Sequence, residues 1–379
     1  MTVDQETIAR FEPFFEQVDG RAREFEQIGR IPDDLAEALA REKILKLLVP
    51  RQYDGLESHA STFVELLIEA SRADAAVGWF IMIANTTSSL SATLPDDWAR
   101  TMYEDDAKAI TVGVAAPYGR GVREGDGLRI SGRWPFGSGS HNARWILGGS
   151  MIAEDDTGPA EVVAAFFDAD DVTIHDNWDV AGLCGTGSND IEVKDVFVPA
   201  GRWAVIGGKP RIGTPLYRFP TLGLLALGVC AVSLGIAVRA IEEFTALATE
   251  KVPTGSKRSL AAREAAQKDL AMAEARVGAA RAYVHSCINE AWSVAADAGR
   301  IPLDAKAKLR LAAANATWSA VDAVDRLYHA AGGTSIYQNS RLQKCFRDVH
   351  VSTQHAMVGQ QMFEVVGKVM LGIDPKTAL

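Results

Sequence analysis

The apolar pattern changes character twice along this chain, and those two changes restrict its fold more than any other feature. Residues 1 to about 107 carry helical signals. Pro32 followed by Asp33 and Asp34 marks a helix start, because proline's fixed φ and acidic side chains both suit a first turn. Leu35 and Leu39, then Ile44, Leu47 and Leu48, form a stripe that ends at Pro50. Tyr53-Asp54-Gly55-Leu56 reads as a turn, and 63–71 and 77–84 read as further apolar helices with Trp79 inside. From about 108 short β-like runs broken by glycine and aspartate take over. They cover 110–114, 128–130 after the turn 124–127, 145–152, 162–167, 172–174 and 191–198, a spacing that predicts a compact antiparallel β domain. After Pro220 helix returns over 222–248, over the Ala/Glu/Arg/Lys-rich 260 to about 298, from 301 to about 331, and from 349 to about 371. Four long helices are enough for a bundle. The expected class is α+β, mostly α: a helical domain over 1–107, an antiparallel β-barrel over 108–212 and a four-helix bundle over 213–379.

Bulk properties narrow the function classes. A chain of 379 residues, 47% apolar and 23% charged, is a soluble globular protein too long for one ordinary core. A net charge of −10 argues against nucleic acid, which needs a basic footprint. Cys184, Cys230, Cys287 and Cys345 are widely spaced without a Cys-x-x-Cys pair, so a reduced, disulfide-free cytoplasmic protein is expected. The acidic start Met1-Thr2-Val3-Asp4-Gln5-Glu6 has no apolar core and reads as no secretory signal. Residues 222–238 are uncharged and match the shortest membrane spans, at roughly 17 residues. They contain Gly223, Gly228 and Gly235 and run into the amphipathic 239–244, which suits a buried bundle helix and no membrane partner. The histidines show no metal-ligand spacing, and neither a P-loop nor a Gly-x-Gly-x-x-Gly dinucleotide fingerprint occurs.

Five segments concentrate glycine, hydroxyl and aromatic side chains. Gly182-Leu183-Cys184-Gly185-Thr186-Gly187-Ser188-Asn189-Asp190 leads into a run ending Val196-Phe197-Val198-Pro199. Its glycines allow left-handed backbone and close approach, while Ser188, Asn189 and Asp190 can hydrogen-bond within the turn. Trp134-Pro135-Phe136-Gly137-Ser138-Gly139-Ser140-His141 joins an aromatic strand to a Ser-Gly turn. Ala331-Gly332-Gly333-Thr334-Ser335-Ile336-Tyr337 precedes Arg347-Asp348, His350 and His355. Ala115-Ala116-Pro117-Tyr118-Gly119-Arg120-Gly121 is a fourth. The fifth, Lys251 to Ser259, is basic and hydroxyl-bearing; it suits phosphate, or is simply a solvated charged loop.

Together, and in the order helix, β, helix bundle, these segments resemble the acyl-CoA dehydrogenase fold, most specifically in the Gly-x-x-Gly-Thr-Gly turn. Two departures matter. Dehydrogenases that place their base in the C-terminal segment have a glutamate nine positions after the arginine; here that position is Ala356, preceded by His355. Their Thr-Glu-Pro and Gly-rich run ending Ser-Asp is replaced by Ala115 to Gly121, without the glutamate or the serine that helps hold the thioester. That pattern resembles the flavin-dependent monooxygenases built on the fold. The resemblance implies the oxygenase component of a two-component system. A flavin reductase would supply diffusible reduced FMN or FAD; O2 would add at flavin C4a, and one oxygen atom would pass to an aromatic, phenolic or N/S-containing substrate. It further implies His355 and Ser138 as catalytic groups, Ser138 lying near flavin N5 and His355 taking a phenolic proton or stabilising the oxygenated flavin. Trp134, Ser138, Arg258, Arg263, Gly332, Gly333 and Thr334 would contact cofactor, the basic loop and the Gly332 turn reaching a neighbour's flavin in a homotetramer. Trp79, Asn85, His141 and His350 would line the substrate pocket. One rival is an acyl-CoA dehydrogenase-like enzyme or oxidase with its base at Glu242 or Glu243; another is a non-catalytic ligand-binding relative.

Overall fold

A computed structural model describes residues 3–106, 109–153, 160–297 and 300–379. The expected domain boundary at 107/108 and the expected helix end near 298 lie outside the described residues.

Six helices open the chain: α1 (Gln5–Asp19), α2 (Ala22–Ile28), α3 (Asp33–Arg41), α4 (Ala60–Ala73), α5 (Ala75–Ser88) and α6 (Asp96–Tyr103). Pro32 stands at the N-cap of α3 with Asp33 and Asp34 in its first turn, where proline and acidic groups belong. One residue, Asp74, separates α4 from α5. Its backbone is extended, and its Oδ1 accepts from Ala76 N (2.8 Å), which caps α5 and turns the chain.

Seven strands follow: β1 (Thr111–Glu124), β2 (Gly127–Gly137), β3 (Trp145–Ala153), β4 (Glu161–Asp168), β5 (Thr173–His175), β6 (Asn189–Val198) and β7 (Trp203–Val205). Their order is β5-β6-β2-β1-β3-β4-β7, with three-residue strands at both edges, so the sheet is open and not a closed barrel. Nor is it wholly antiparallel, because β1 and β3 are parallel. The hairpin turn at Gly125 returns β2 along one side of β1, and the 138–144 connection then carries β3 to β1's other side, reversed again. Apolar periodicity carries no information on strand direction. β1 also runs ten residues past Val114, through a register shift between Val114 and Gly119.

The C-terminal part is α7 (Pro215–Arg218), three long helices α8 (Thr221–Glu250), α9 (Glu264–Ala296) and α10 (Leu303–Ala331), and two short ones, α11 (Arg341–Ser352) and α12 (Gln361–Met370). The expected single helix over 349–371 is therefore two, separated by turns at 353–360. α8 is long and apolar enough to cross a membrane by length and composition, but 78% of its most apolar window is buried, against α4, α5, α10 and α11. Its glycines explain the fit: a Cβ at Gly228 would stand 2.4 Å from Met82 Cγ of α5, and one at Gly235 2.4 Å from Ile68 O of α4. All four cysteines are unpaired.

Candidate active site

The two glycine- and hydroxyl-rich motifs and α5 meet at one point. Asp348 of α11 reaches the 182–190 turn, where its Oδ1 accepts from Leu183 N (2.6 Å), and Arg347 Nη1 donates to Ala181 O (2.5 Å). Gly182 packs on the Arg347 backbone, 2.6 Å from where a Cβ would sit, so no larger residue fits there. Within the turn, Asn189 Oδ1 accepts from Asn177 N and Trp178 N (3.0 Å each). The turn then offers two hydroxyls to β2's end.

Those hydroxyls form an ordered chain. Trp79 Nε1–H donates to Ser138 Oγ (3.1 Å), Ser138 Oγ is 2.7 Å from Ser188 Oγ, and Ser188 Oγ is 2.7 Å from Thr186 Oγ1. Thr186 donates to Leu183 O (2.9 Å). A carbonyl only accepts and an indole N–H only donates, so every intervening proton points toward Leu183. Ser138 therefore gives its proton to Ser188, receives one bond from Trp79, and keeps one lone pair free.

His355 lies across Trp79, with ring centroids 5.7 Å apart and planes at 69°. Its Nδ1 accepts from Met357 N (3.2 Å), and Met357 O in turn accepts from Arg310 Nη2 of α10 (3.4 Å). The ring is half-buried. Desolvation, aided by the Arg310 charge, pushes His355 down to about 4. It is neutral at physiological pH, and because Nδ1 is an acceptor, its proton sits on Nε2. His355 thus presents a hydrogen-bond donor at Nε2, with Nδ1 already engaged by the Met357 N–H.

One face of α5 borders this site. Trp79, Ile83, Thr86 and Thr87 each retain 8–9% exposure on a helix whose other residues are mostly 0–1% exposed. Their spacing of four and three places them on a single stripe.

The structure brings together Ser138, His355 and Trp79, and separates the other expected residues. Trp134 is 0% exposed; its Nε1 bonds Gly149 O (2.7 Å) and its ring packs on Phe167. It is core, and cannot reach a cofactor. The register shift between Trp134 and Gly137 instead exposes Phe136, at φ +66°, edge-on to Trp178. Asn85 is fully buried; its amide donates to Ile44 O and Ile81 O and accepts from Leu48 N, so it fixes the 44–48 turn and lines no pocket. His141 bonds Asp176 (3.0 Å) in a surface hollow lined also by Arg30, Trp178 and Asn189 of the 182–190 turn. His350, still on α11, bonds Asp325 of α10 (3.0 Å) and packs on Phe346, away from His355. Arg258 and Arg263 are exposed, and Lys251 of the same loop bonds Ala331 O beside Gly332, Gly333 and Thr334. Those two segments therefore adjoin each other, but not His355. Trp318 bonds Val358 O near His355, and Gly332 lies four turns further along α10, roughly 21 Å away.

Thr186, Ser188, Ile83, Thr86 and Arg310 escaped the sequence reading. Thr186 and Ser188 stood in a quoted motif, where their direction could not be known. Arg310 had a signal: it is in phase with Ala307, Ala314 and Thr317, an otherwise uncharged buried face.

With this geometry in hand, comparison with known proteins is direct. The acyl-CoA dehydrogenase N-terminal domain family matches residues 5–94, and the acyl-CoA dehydrogenase C-terminal domain family matches 227–360. Indole-3-acetate monooxygenase of Pseudomonas putida is 31% identical, covering 96% of this chain and 94% of that protein. The flavin-dependent monooxygenase oxygenase subunit HsaA of Rhodococcus jostii RHA1 is 27% identical, over 89% and 90%. XiaF from Streptomyces, solved with FADH2 and glycerol, superposes with a TM-score of 0.91 at 24% identity, over 99% of this chain and 97% of that one. The chain belongs to the acyl-CoA dehydrogenase family, in the branch of the flavin-dependent monooxygenases.

Proposed function

We propose that this protein is the oxygenase component of a two-component monooxygenase, using reduced FMN or FAD from a separate reductase to oxygenate an aromatic small molecule. The observation that carries this reading is the free lone pair of Ser138, at the head of the hydroxyl chain and beside Trp79 and His355. A reduced flavin carries an N–H at N5, which needs an acceptor, and Ser138 is set to be one. The residues therefore fit the cofactor. When bound, reduced flavin activates O2 and supplies the oxygen atom transferred. The protein's own contribution would be placement and exclusion of water: Ser138 would accept from N5–H, the neutral His355 would offer Nε2–H to an acceptor oxygen, and Trp79 and Ile83 of the α5 stripe would give an apolar wall for a ring. The names of relatives acting on indole-3-acetate support an aromatic substrate.

The dehydrogenase rival loses its base. Glu242 pairs with Arg72 and Arg239, and Glu243 with Arg239 (2.9 Å), about four turns or 21 Å along α8 from Gly228, which meets α5.

The test is reoxidation of reduced FMN, and separately FAD, by O2 under stopped flow with the peroxide yield recorded. Wild type should delay reoxidation well beyond free flavin. Ser138→Ala should shorten that delay by about tenfold or more, as expected for loss of one preorganised bond, and raise peroxide. Wild-type reoxidation as fast as free flavin would reject the reading.

A further inference from the structure

Arg310 is the most anomalous side chain in the molecule. It is 1% exposed, inside the contact of α10 with the 353–360 turns. Its Nη2 makes one long bond to Met357 O, while Nε and Nη1 are buried without a partner, and among the described residues no carboxylate pairs with it. The other buried cations among the described residues are compensated: Lys46 reaches Tyr103 O and Asp54, Lys344 lies between Asp348 and Asp74, and Arg202 packs over the Trp98 and Trp145 rings. A buried guanidinium without an anion is held against its own solvation, and here that cost is visible as a guanidinium pushed down to about 10 by desolvation alone.

Its neighbour makes the deficit specific. His355 and Arg310 are fastened to the same residue, His355 Nδ1 on the Met357 N–H and Arg310 Nη2 on the Met357 carbonyl. That fixes His355 as an Nε2–H donor. The side chains fixed at this corner therefore offer donors, His355 Nε2–H and the unpartnered Arg310 Nε and Nη1, with Trp79 of α5 against the His355 ring. Such a corner is complementary to a group that only accepts and carries negative charge.

We propose that Arg310 is the counter-ion for an acidic substituent on the substrate, so that this oxygenase takes aromatic acids, with the carboxylate at Arg310 and the ring along α5. The inference rests on the oxygenase reading for the identity of the site, but on Arg310 alone for the charge of what enters it. A reduced flavin is itself an acid, so a second source of the anion must be separated experimentally.

The experiment is calorimetric titration of flavin-free wild-type, Arg310→Met and Arg310→Lys proteins with phenylacetate and indole-3-acetate, each against its neutral amide. Melting temperatures and reduced-FMN affinity are recorded for every variant. Wild type should bind the acids about 10- to 100-fold tighter than the amides, the range of a charge-assisted bond. Arg310→Met should abolish that preference and leave amide binding intact. It should not lower the melting temperature, since an apolar chain of similar length replaces an unpaired charge. Arg310→Lys should retain part of the preference. Equal binding of acid and amide by wild type, or an unchanged preference in Arg310→Met, overturns the proposal. So does failure of wild type to bind either acid. A variant that loses only reduced-FMN affinity also overturns it, by assigning the charge to the flavin. Failure of the oxygenase reading would show separately, as undelayed reoxidation of flavin by a protein that still prefers acids.

Discussion

At the scale of single residues, protonation decides what this site can do. A histidine with a pKa near 6.5 would switch charge within the working range; His355 does not, because desolvation and Arg310 hold it to about 4. His59, tilted at 45° against Trp292 with ring centroids 3.9 Å apart, is pushed down to about 4 as well, by burial and then by His285. Both rings take up protons more readily in the unfolded chain than in the folded one. Between the two pKa values the unfolded state binds more protons, so stability rises with pH across that window and is lost as pH falls from about 6.5 toward 4. Urea unfolding of wild type from pH about 7.5 down to 4.5 should show that decline. His355→Gln and His59→Gln should each flatten it; a slope unchanged in both would show that neither ring is depressed.

At the scale of elements, α11 and the 182–190 turn behave as one unit, and the link is Asp348. One carboxylate oxygen takes the Leu183 N–H and the other the Lys344 ammonium (2.6 Å). Lys344 also reaches Asp74 (3.3 Å), the cap of α5. Burial works against the charged lysine, but Asp348 and Asp74 outweigh it and hold its pKa above the usual lysine value. Three elements of the site thus share one buried ion cluster. Asp348→Ala should cost about 2–4 kcal/mol in denaturant unfolding, because it leaves the Leu183 donor without an acceptor and Lys344 with Asp74 as its remaining partner. Asp348→Asn, which still accepts from Leu183, should cost clearly less; equal losses would show that the Leu183 bond contributes nothing. Arg347-Asp348 and the glycine turn were legible in the sequence because glycine and aspartate are demanded by close approach and by hydrogen-bond acceptance. The break after Ser352 was not. No proline or glycine stands between Ser352 and Gly359, and what ends the helix is tertiary: Ser352 Oγ meets Ser233 of α8 (2.9 Å), and His355 captures the Met357 N–H. Trp134 was placed at the cofactor by resemblance alone, and resemblance does not tell which side of the sheet a residue faces. The shift between Trp134 and Gly137 leaves Trp134 inside and turns Phe136 outward.

At the scale of the whole molecule, the residues expected to form one site lie in two places. Ser138, Trp79 and His355 lie beside the body of α10 near Trp318, and the basic 251–263 loop with the Gly332–Thr334 turn lies roughly 21 Å further along that helix. Gly332 adopts φ +62° and ψ −154°, a conformation only glycine takes readily, and the turn beyond it exposes Ile336 and Tyr337. An exposed apolar turn beside exposed arginines suits contact with a second copy whose cofactor needs cationic partners. If the two parts serve one site, they must come from different subunits. Complementation tests this without knowledge of the substrate. His355→Ala and an Arg258→Ala, Arg263→Ala double variant should each lose most of the protection of reduced flavin. Unfolded together in equal amounts and refolded, they should recover about a quarter of the wild-type sites, the statistical share in which one subunit's His355 faces another's arginines. If both parts acted within one chain, no mixture would recover any. Full protection in the arginine variant alone would make the loop a solvated one, and would leave the flavin to be held by Ser138 and its own subunit.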